Sequence, residues 1–455
     1  MKISSSLIIP FIRFFSNAKI MEIAINTGFL KRKRDILPDT IVKTFIFGLI
    51  STPNPSLKQI ASKCEKIQPG LRITKNAIYN RLPAISEFVQ HIFIDTMKIT
   101  LQKAVPAKIT KILFQFKDVK ICDSTKISLP DKLADLWPGL GRRNAKSALK
   151  IQGIYSLISS SFSSLESTKA PGNDTTYTKK LLSMIDKGEL LIVDLGYFSK
   201  TFFEKLSNKD AFYLSCIRSN TAVYLDKAGE MKQVDLAEIL KGHNLVDTTV
   251  FIGVGYKKQL ECRLVAIRLS DEIVNERRRK AKKKAKSQGK QLSAKEIELL
   301  AFNIIITNAN GDMLSSEAVC DLYRARWQIE LVFKACKSYL NIDKLGNCGL
   351  YQLECLIYGR LTAICIAFLM YNAFYIEIYT LHQRGISMLL FIKLWADEAS
   401  TISENINLSL TAIQEIYHIL TRISKHSLHE KRKRKTTLEI LQGYCLPKIN
   451  YQNIA

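Results

Sequence analysis

Residues 188–199, GELLIVDLGYFS, contain an unbroken apolar run from Leu190 to Val193 that stops at Asp194 and a glycine-bearing turn. A short apolar run bounded by turn residues reads as a strand. A second run of this kind, VKICD, ends on Asp123. A carboxylate in that place has no packing role, and its ordinary reading is a turn former or a helix cap. Two such aspartates in one chain make the ordinary reading harder to keep.

The surrounding pattern extends the strand reading. DVKICDSTKISL, SALKIQGIYSLISSSF and SLESTKA are β-rich runs, 173–187 reads as a helix, and DAFYLSCIRS (210–219) adds a further strand. Strands, helix, strand and helix in that order predict an α/β fold, a mixed sheet flanked by helices. Between 220 and 302 the pattern is interrupted by the short strands TTVFIGVGY and LECRLVAIRL and the basic run ERRRKAKKKAKSQGK. That run is either a solvated helix or loop or a phosphate-contacting surface. NIIITN (303–308) returns to strand, and helices follow to a second basic run, EKRKRK, at 430–435.

The helix expected over 316–340 contains YRARWQIELVFKACKSY. At 100° per residue, Tyr323, Arg326, Glu330 and Lys337 share an arc of about 60°. Leu322, Ile329, Phe333 and Leu340 occupy the adjoining arc. The charges therefore lie at the seam where the helix meets a core, a costly place unless they are paired or bound to a ligand. A structural salt bridge around Glu330 is one reading. The other joins Glu330 to Asp123 and Asp194 as three carboxylates at a sheet's edge, the oxygen-rich setting that divalent cations require.

The chain has 67 Lys and Arg against 41 Asp and Glu, a formal net charge of +26 over 455 residues. An excess of that size, spread along the chain, favours a nucleic-acid partner over a membrane surface. The ten cysteines form no C-x-x-C pair or zinc-like grouping and read as small core residues in a reducing compartment. In MKISSSLIIPFIRFF, Arg13 interrupts a weakly signal-like start. The apolar stretch Leu361–Ile378 includes Thr362, Tyr371, Asn372 and Tyr375, and reads as a buried core helix rather than a membrane span. The expected location is the cytoplasm, in association with the nucleoid. Near the N-terminus, a helix at 57–65, a Gly/Pro break and a helix at 73–82 capped by Thr74 fit either a helix-turn-helix or a plain helical hairpin.

The spacing Y-x-x-R-x-x-x-E-x-x-x-x-x-x-K, met by Tyr323, Arg326, Glu330 and Lys337, resembles the signature of IS4-family transposases. DST (123–125) and DLGYFS (194–199) resemble that family's two aspartate motifs, and RWQIELVFKACKSYLNID its wording around the glutamate. IIITN, the long β-rich insertion and, more weakly, TGFLKRKRDILP extend the likeness over most of the chain. The resemblance implies a ribonuclease H-like domain of the DDE type, with Asp123, Asp194 and Glu330 as catalytic metal ligands for two Mg²⁺ ions, Mn²⁺ being a substitute. It implies phosphate contacts from Tyr323, Arg326 and Lys337, with Trp327 beside the DNA. Family members often carry a base-stacking tryptophan where this chain has Asn303, which leaves Phe302 as the substitute.

The implied organisation is an N-terminal helical DNA-binding region (1–105) with Lys75 and Arg81 as DNA contacts, and a catalytic core in two parts (106–219 and 303–400). A β-rich insertion (220–302) separates the two parts, and a basic helical tail (401–455) follows. The implied activity is cut-and-paste transposition: metal-dependent strand cleavage at the transposon ends, then strand transfer. The partners would be terminal inverted repeats and target DNA, bound by a homodimer. The alternatives are a hydrolytic nuclease on the same fold and a catalytically inactive, repressor-like DNA-binding protein.

Overall fold

The computed structural model describes residues 9, 11–30, 36–103, 113, 115–140, 145–253, 259–382, 384–406 and 409–430. The basic segment at 31–35 and the run from 431 onward, expected to bear charge, lie outside the described residues. The chain divides into two compact units. One takes in the described residues of 1–107, 124–171 and 328–433; the other takes in those of 108–123 and 172–327.

The strands are β1 (Val119–Leu129), β2 (Ser147–Ser156), β3 (Ser161–Lys169), β4 (Leu190–Val193), β5 (Phe212–Cys216), β6 (Val223–Lys227), β7 (Glu230–Val234), β8 (Leu245–Ile252), β9 (Leu260–Arg268) and β10 (Phe302–Thr307). The helices include α1 (Leu57–Ile67), α2 (Lys75–Lys103), α3 (Asp271–Ser287), α4 (Ser316–Arg324), α5 (Trp327–Ser338) and α6 (Leu350–His382). Strand order in the mixed sheet is β3-β2-β1-β4-β5-β10-β9-β8-β6-β7. β4 is parallel to both β1 and β5, and β2 is antiparallel to β3. The strand pattern led us to expect a mixed sheet flanked by helices, and the order 3-2-1-4-5 is the ribonuclease H-like arrangement that the family resemblance implied. The run SALKIQGIYSLISSSF, expected as one strand, turns at 157–160, where Ser160 has a φ of 48°, and supplies the end of β2 and the start of β3.

In the second unit the insertion continues the sheet. β10 pairs antiparallel with β5 and β9, β9 with β8, and β8 with β6. The register of β1 on β4 sets Val119 to Cys122 against Leu190 to Val193, all eight fully buried except Lys120 with its 8% exposure. Lys120 Nζ donates to Glu189 Oε2 at 2.6 Å and to the Met184 carbonyl at 3.0 Å. Glu189 also accepts from the Asp186 N–H. A buried ammonium with two oxygen acceptors is satisfied; with either carboxylate or ammonium removed, the other would be left as an unpaired ion in the core.

In the first unit α6 is the central helix. Within its stretch Leu350–Tyr379, the most apolar 18-residue window is 89% buried, which makes it the core helix its composition suggested. α2 packs along it through Ile78, Leu82, Ile85, Phe88, Val89 and Ile92, a helical-spaced apolar series. Ser86 donates to Glu354 at 2.6 Å and Gln90 to the Tyr358 hydroxyl at 3.0 Å between the same two helices. Gly359 lets a π-helical turn, Lys43–Gly48, pass close by, since a Cβ there would lie 2.5 Å from the Phe45 carbonyl oxygen. The N-terminal pair of helices is seen, and Thr74 caps the second by accepting from the Ala77 N–H. That helix does not stop near residue 82 but runs on to Lys103, because the apolar series continues and α6 covers it. Nine described cysteines are free, eight of them buried, in keeping with a role as small core residues; Cys445 lies outside the described residues.

Candidate active site

The register of β1 on β4 decides where the two aspartates emerge. Cys122 pairs with Val193, so Asp123 and Asp194 are the next residues on neighbouring parallel strands. Registered residues of parallel strands project to the same face, about 5 Å apart along the hydrogen-bonding direction. Asp194 keeps extended geometry (φ −75°, ψ 165°) and its backbone carbonyl, not its carboxylate, accepts from the Tyr197 N–H at 3.0 Å. The side chain makes no cap hydrogen bond to the turn that follows, so the helix-cap explanation for Asp194 fails. Asp123 is not at a strand end, since β1 continues to Leu129. It marks the point where burial lapses, after four buried residues and before a half-exposed stretch.

Arg326 Nη1 stands 3.6 Å from Asp123 Oδ2, and the two side chains are 18% and 19% exposed. The guanidinium is thus held at one of the expected carboxylates. Tyr323 sends its hydroxyl 3.5 Å from the Val193 carbonyl oxygen, at the residue before Asp194, and hydrogen-bonds the Cys216 thiol at the end of β5. Burial pushes the Tyr323 hydroxyl well above the ordinary phenol range, with Cys216 adding to the effect. Burial likewise raises the Cys216 thiol, reinforced by Asp194 and opposed by Tyr323, Arg326 and Arg277. Tyr323 therefore touches the strand that carries Asp194 rather than standing out in solvent. Cys216 and Arg277 join this neighbourhood without having been singled out by spacing. Arg277 was hidden inside a basic run, and only its donation to the Phe302 carbonyl (3.1 Å) and Asn303 Oδ1 (2.7 Å) sets it apart.

The helix expected over 316–340 is two helices. Ala325 and Arg326 donate to Leu322 and Tyr323, three residues back, and this tighter turn separates α4 from α5. The angular count across the break is therefore altered, although Leu322, Ile329, Phe333 and Leu340 are all buried as the wheel required. Glu330 lies in the first turn of α5 and is half-buried, in the first unit. Lys337, on the same helix, donates to the Lys126 carbonyl at 3.1 Å. Phe333 seats α5 on β2, where a Cβ on Gly153 would come within 2.9 Å of the Phe333 ring.

Trp327 is 56% exposed. Lys75 is exposed and Arg81 half-exposed on the first turns of α2, beside Tyr79 at 63% exposure. Phe302 is a correction. Its ring is 5% exposed and lines a cavity of about 300 Å³ with Leu299, Leu300 and Ile304, so it presents no face for a base to stack on. The ring is covered by the insertion, whose Arg277, Ala281 and Glu296 line the same cavity.

Among the described residues, no three Asp, Glu, His or Cys side chains gather closely enough to hold a metal ion by themselves. The donor chemistry at the β1–β4 edge nonetheless fits a divalent cation. It offers two hard carboxylates on one face, partly open to water, which such ions keep in their shell.

The basic run of the insertion is helical. Val274 and Ala285 are buried, Arg277, Arg278 and Ala281 half-buried, and Arg279, Lys282, Lys283 and Lys286 lie on the exposed side. At 100° per residue these four cations share an arc of about 100°, and the sequence from 279 to 286 contains no acidic residue. Lys282, Lys286 and Lys290 line a cleft of about 520 Å³ to which the described residues contribute no carboxylate.

Residues 114–366 match the family model described as the transposase DDE domain. The transposase for insertion sequence element IS231B of Bacillus thuringiensis subsp. berliner is 30% identical over 372 residues, covering 78% of this chain and 77% of that protein. That for IS231C of the same organism is 27% identical over 450 residues, covering 95% and 93%. That for IS1151 of Clostridium perfringens is 28% identical over 371 residues, 78% of each. A piggyBac transposase synaptic complex with hairpin DNA is a distant structural likeness, at 12% identity and a TM-score of 0.43 over 93% of this chain and 85% of that one. The chain belongs to the DDE transposases, divalent-metal-dependent enzymes that act on DNA.

Proposed function

We propose that the chain moves its element by a cut-and-paste route, with Asp123, Asp194 and Glu330 as the ligands of two Mg²⁺ ions. The observation that carries this reading is the registered exit of Asp123 and Asp194 on one face of adjacent parallel strands, in a chain of the DDE family. Divalent cations bound there supply Lewis acidity to the attacking and leaving oxygens of a phosphodiester. In the first step a water oxygen forms a bond to phosphorus, the bond to the 3′ oxygen breaks, and that oxygen leaves as a hydroxyl. In the second, the freed 3′ hydroxyl attacks a target phosphodiester and displaces a target 3′ hydroxyl, so the number of phosphoester bonds is conserved.

The chain's residues divide this work. Arg326, placed at Asp123, steadies the carboxylate before DNA arrives and meets the scissile phosphate when it does. Lys337 contributes a second cation to the phosphates, and Trp327 packs beside the duplex. Tyr323 braces the end of β4 through the Val193 carbonyl. Lys75 and Arg81 contact the terminal inverted repeat from α2, and the exposed cations of α3 contact backbone phosphates without regard to sequence. Two ends require two active chains, hence a homodimer on DNA. With Phe302 interior and Asn303 engaged by Arg277, neither residue is placed to hold a flipped base.

The test is cleavage of a duplex carrying the inverted repeat that flanks the gene, with Mg²⁺ and with Mn²⁺. Nicking at the repeat boundary and joining of the freed 3′ end to a second duplex are expected. Cleavage without joining would make the chain a nuclease, and binding without cleavage would make it a repressor.

A further inference from the structure

The turn after Asp194 contains a glycine whose Cβ position is already taken. A Cβ on Gly196 would lie 3.1 Å from Asp174 Oδ2 and 3.7 Å from Asp174 Cβ. Asp174 comes from a separate segment, the one-turn 3₁₀ helix Asp174–Tyr177, and is half-buried. Its carboxylate thus rests on the turn Leu195–Tyr197, in the space a side chain at 196 would fill. On the inner side of the same turn, the Tyr197 hydroxyl and the Cys122 thiol hydrogen-bond to each other, and Cys122 is the residue before Asp123. Asp174 therefore lies against the turn that begins at Asp194, and Tyr197 ties that turn to the residue before Asp123.

We propose that Asp174 is a positioning residue for the two aspartates: resting on Gly196, its carboxylate fixes the turn that presents Asp194 and adds negative charge that strengthens cation binding at the β1–β4 edge. The proposal rests on Asp123 and Asp194 being metal ligands. Asp174 is assigned a positioning role rather than a ligand role, since its carboxylate rests on the turn Leu195–Tyr197. Its effect is electrostatic and steric: a fixed anion near the site stabilises a bound dication, and an immobilised turn spares the ordering cost of binding.

Mn²⁺ binding to the full chain without DNA, followed by loss of the free-ion electron paramagnetic resonance signal, tests this apart from activity. Asp174→Asn keeps the shape and removes the charge. It is expected to weaken Mn²⁺ binding about tenfold, to raise the metal concentration for half-maximal cleavage by a similar factor, and to leave both the melting temperature and cleavage at saturating metal close to wild type. Gly196→Ala, whose Cβ would crowd the Asp174 carboxylate at 3.1 Å and make it shift, should change metal binding in the same direction but by less, and serves as the test if Asp174→Asn fails to fold. Unchanged Mn²⁺ affinity in a folded Asp174→Asn or Gly196→Ala protein would overturn the proposal. Asp123→Asn separates the two levels: if it too left Mn²⁺ binding intact, the metal-ligand reading of β1 and β4 would fall instead.

Discussion

Charge is used in two opposite ways in β1 and in α3. On β1, Lys120 is bonded to Glu189 in the core, and Asp123 faces Arg326 at the edge. On α3, among the described residues, Lys280 is matched by Glu276, while Arg279, Lys282, Lys283 and Lys286 face outward with no ion pair. Partnered, shielded charge fixes positions, because the cost of desolvation is met only in one geometry. Bare, exposed charge has no fixed geometry and acts over the Debye length on any polyanion. On the proposed reading, chemistry belongs to the first region and unspecific DNA attraction to the second.

The contrast breaks first, if it breaks, at the carboxylates. Asp123→Ala or Asp194→Ala is expected to lower single-turnover cleavage at least about a thousandfold, roughly 4 kcal/mol of transition-state stabilisation, with repeat binding retained. The same assay on Glu330→Ala asks whether α5 supplies the third ligand; normal cleavage in that variant would remove Glu330 from the centre. Next in size is Lys120→Met, which strands Glu189 in the core. It should cost about 3 kcal/mol in denaturant unfolding, and Lys120→Met with Glu189→Leu should recover most of the loss, so an equally unstable double variant would show that the pair's role is not electrostatic.

Arg326→Ala should slow cleavage about tenfold to a hundredfold with little change in melting temperature or overall affinity, because it is one phosphate contact among many. A large melting loss with normal cleavage by the folded fraction would make Arg326 a structural brace only. Replacing Arg279, Lys282, Lys283 and Lys286 with Gln should leave cleavage at low salt nearly intact and flatten the salt dependence of random-duplex binding. The log–log slope should fall by about 0.9 for each phosphate no longer neutralised. Four scattered exposed lysines, Lys205, Lys227, Lys241 and Lys425, changed in the same way are the control; an equal flattening there would reduce the α3 effect to net charge. Arg324→Ala, which removes an exposed arginine paired with the half-buried Asp321 one turn back, should change either measurement least, within about 1 kcal/mol.

The parts of this arrangement that were legible in the sequence are those set by local pattern. The apolar runs before Asp123 and Asp194 gave strands, and the α/β order gave the sheet. The apolar arc of Leu322, Ile329, Phe333 and Leu340 gave a packed face. What local pattern did not reveal was tertiary. The stop expected for the 73–82 helix was overridden by burial against α6, and the break at Ala325 and Arg326 follows from backbone bonding that no glycine or proline announces. The interior ring of Phe302 depends on the insertion's helices covering it, which the sequence of β10 alone does not specify. Asp174 sits in an unremarkable APGND segment, and only its position over Gly196 draws it toward the strand ends.

The Lys120–Glu189 pair has a bearing on how copies of such an element age. Because a one-residue slip between β1 and β4 would turn every side chain to the other face, the side-by-side exit of Asp123 and Asp194 depends on register. A pairing that tolerates no ion without its mate helps to fix that register from inside the core. A genomic copy can therefore fall silent through a single change at Lys120 or Glu189 while every residue of its catalytic signature still reads as intact. Surveys that score such genes as live or dead by their acidic triad alone will overcount the living, and reading two further positions corrects the count.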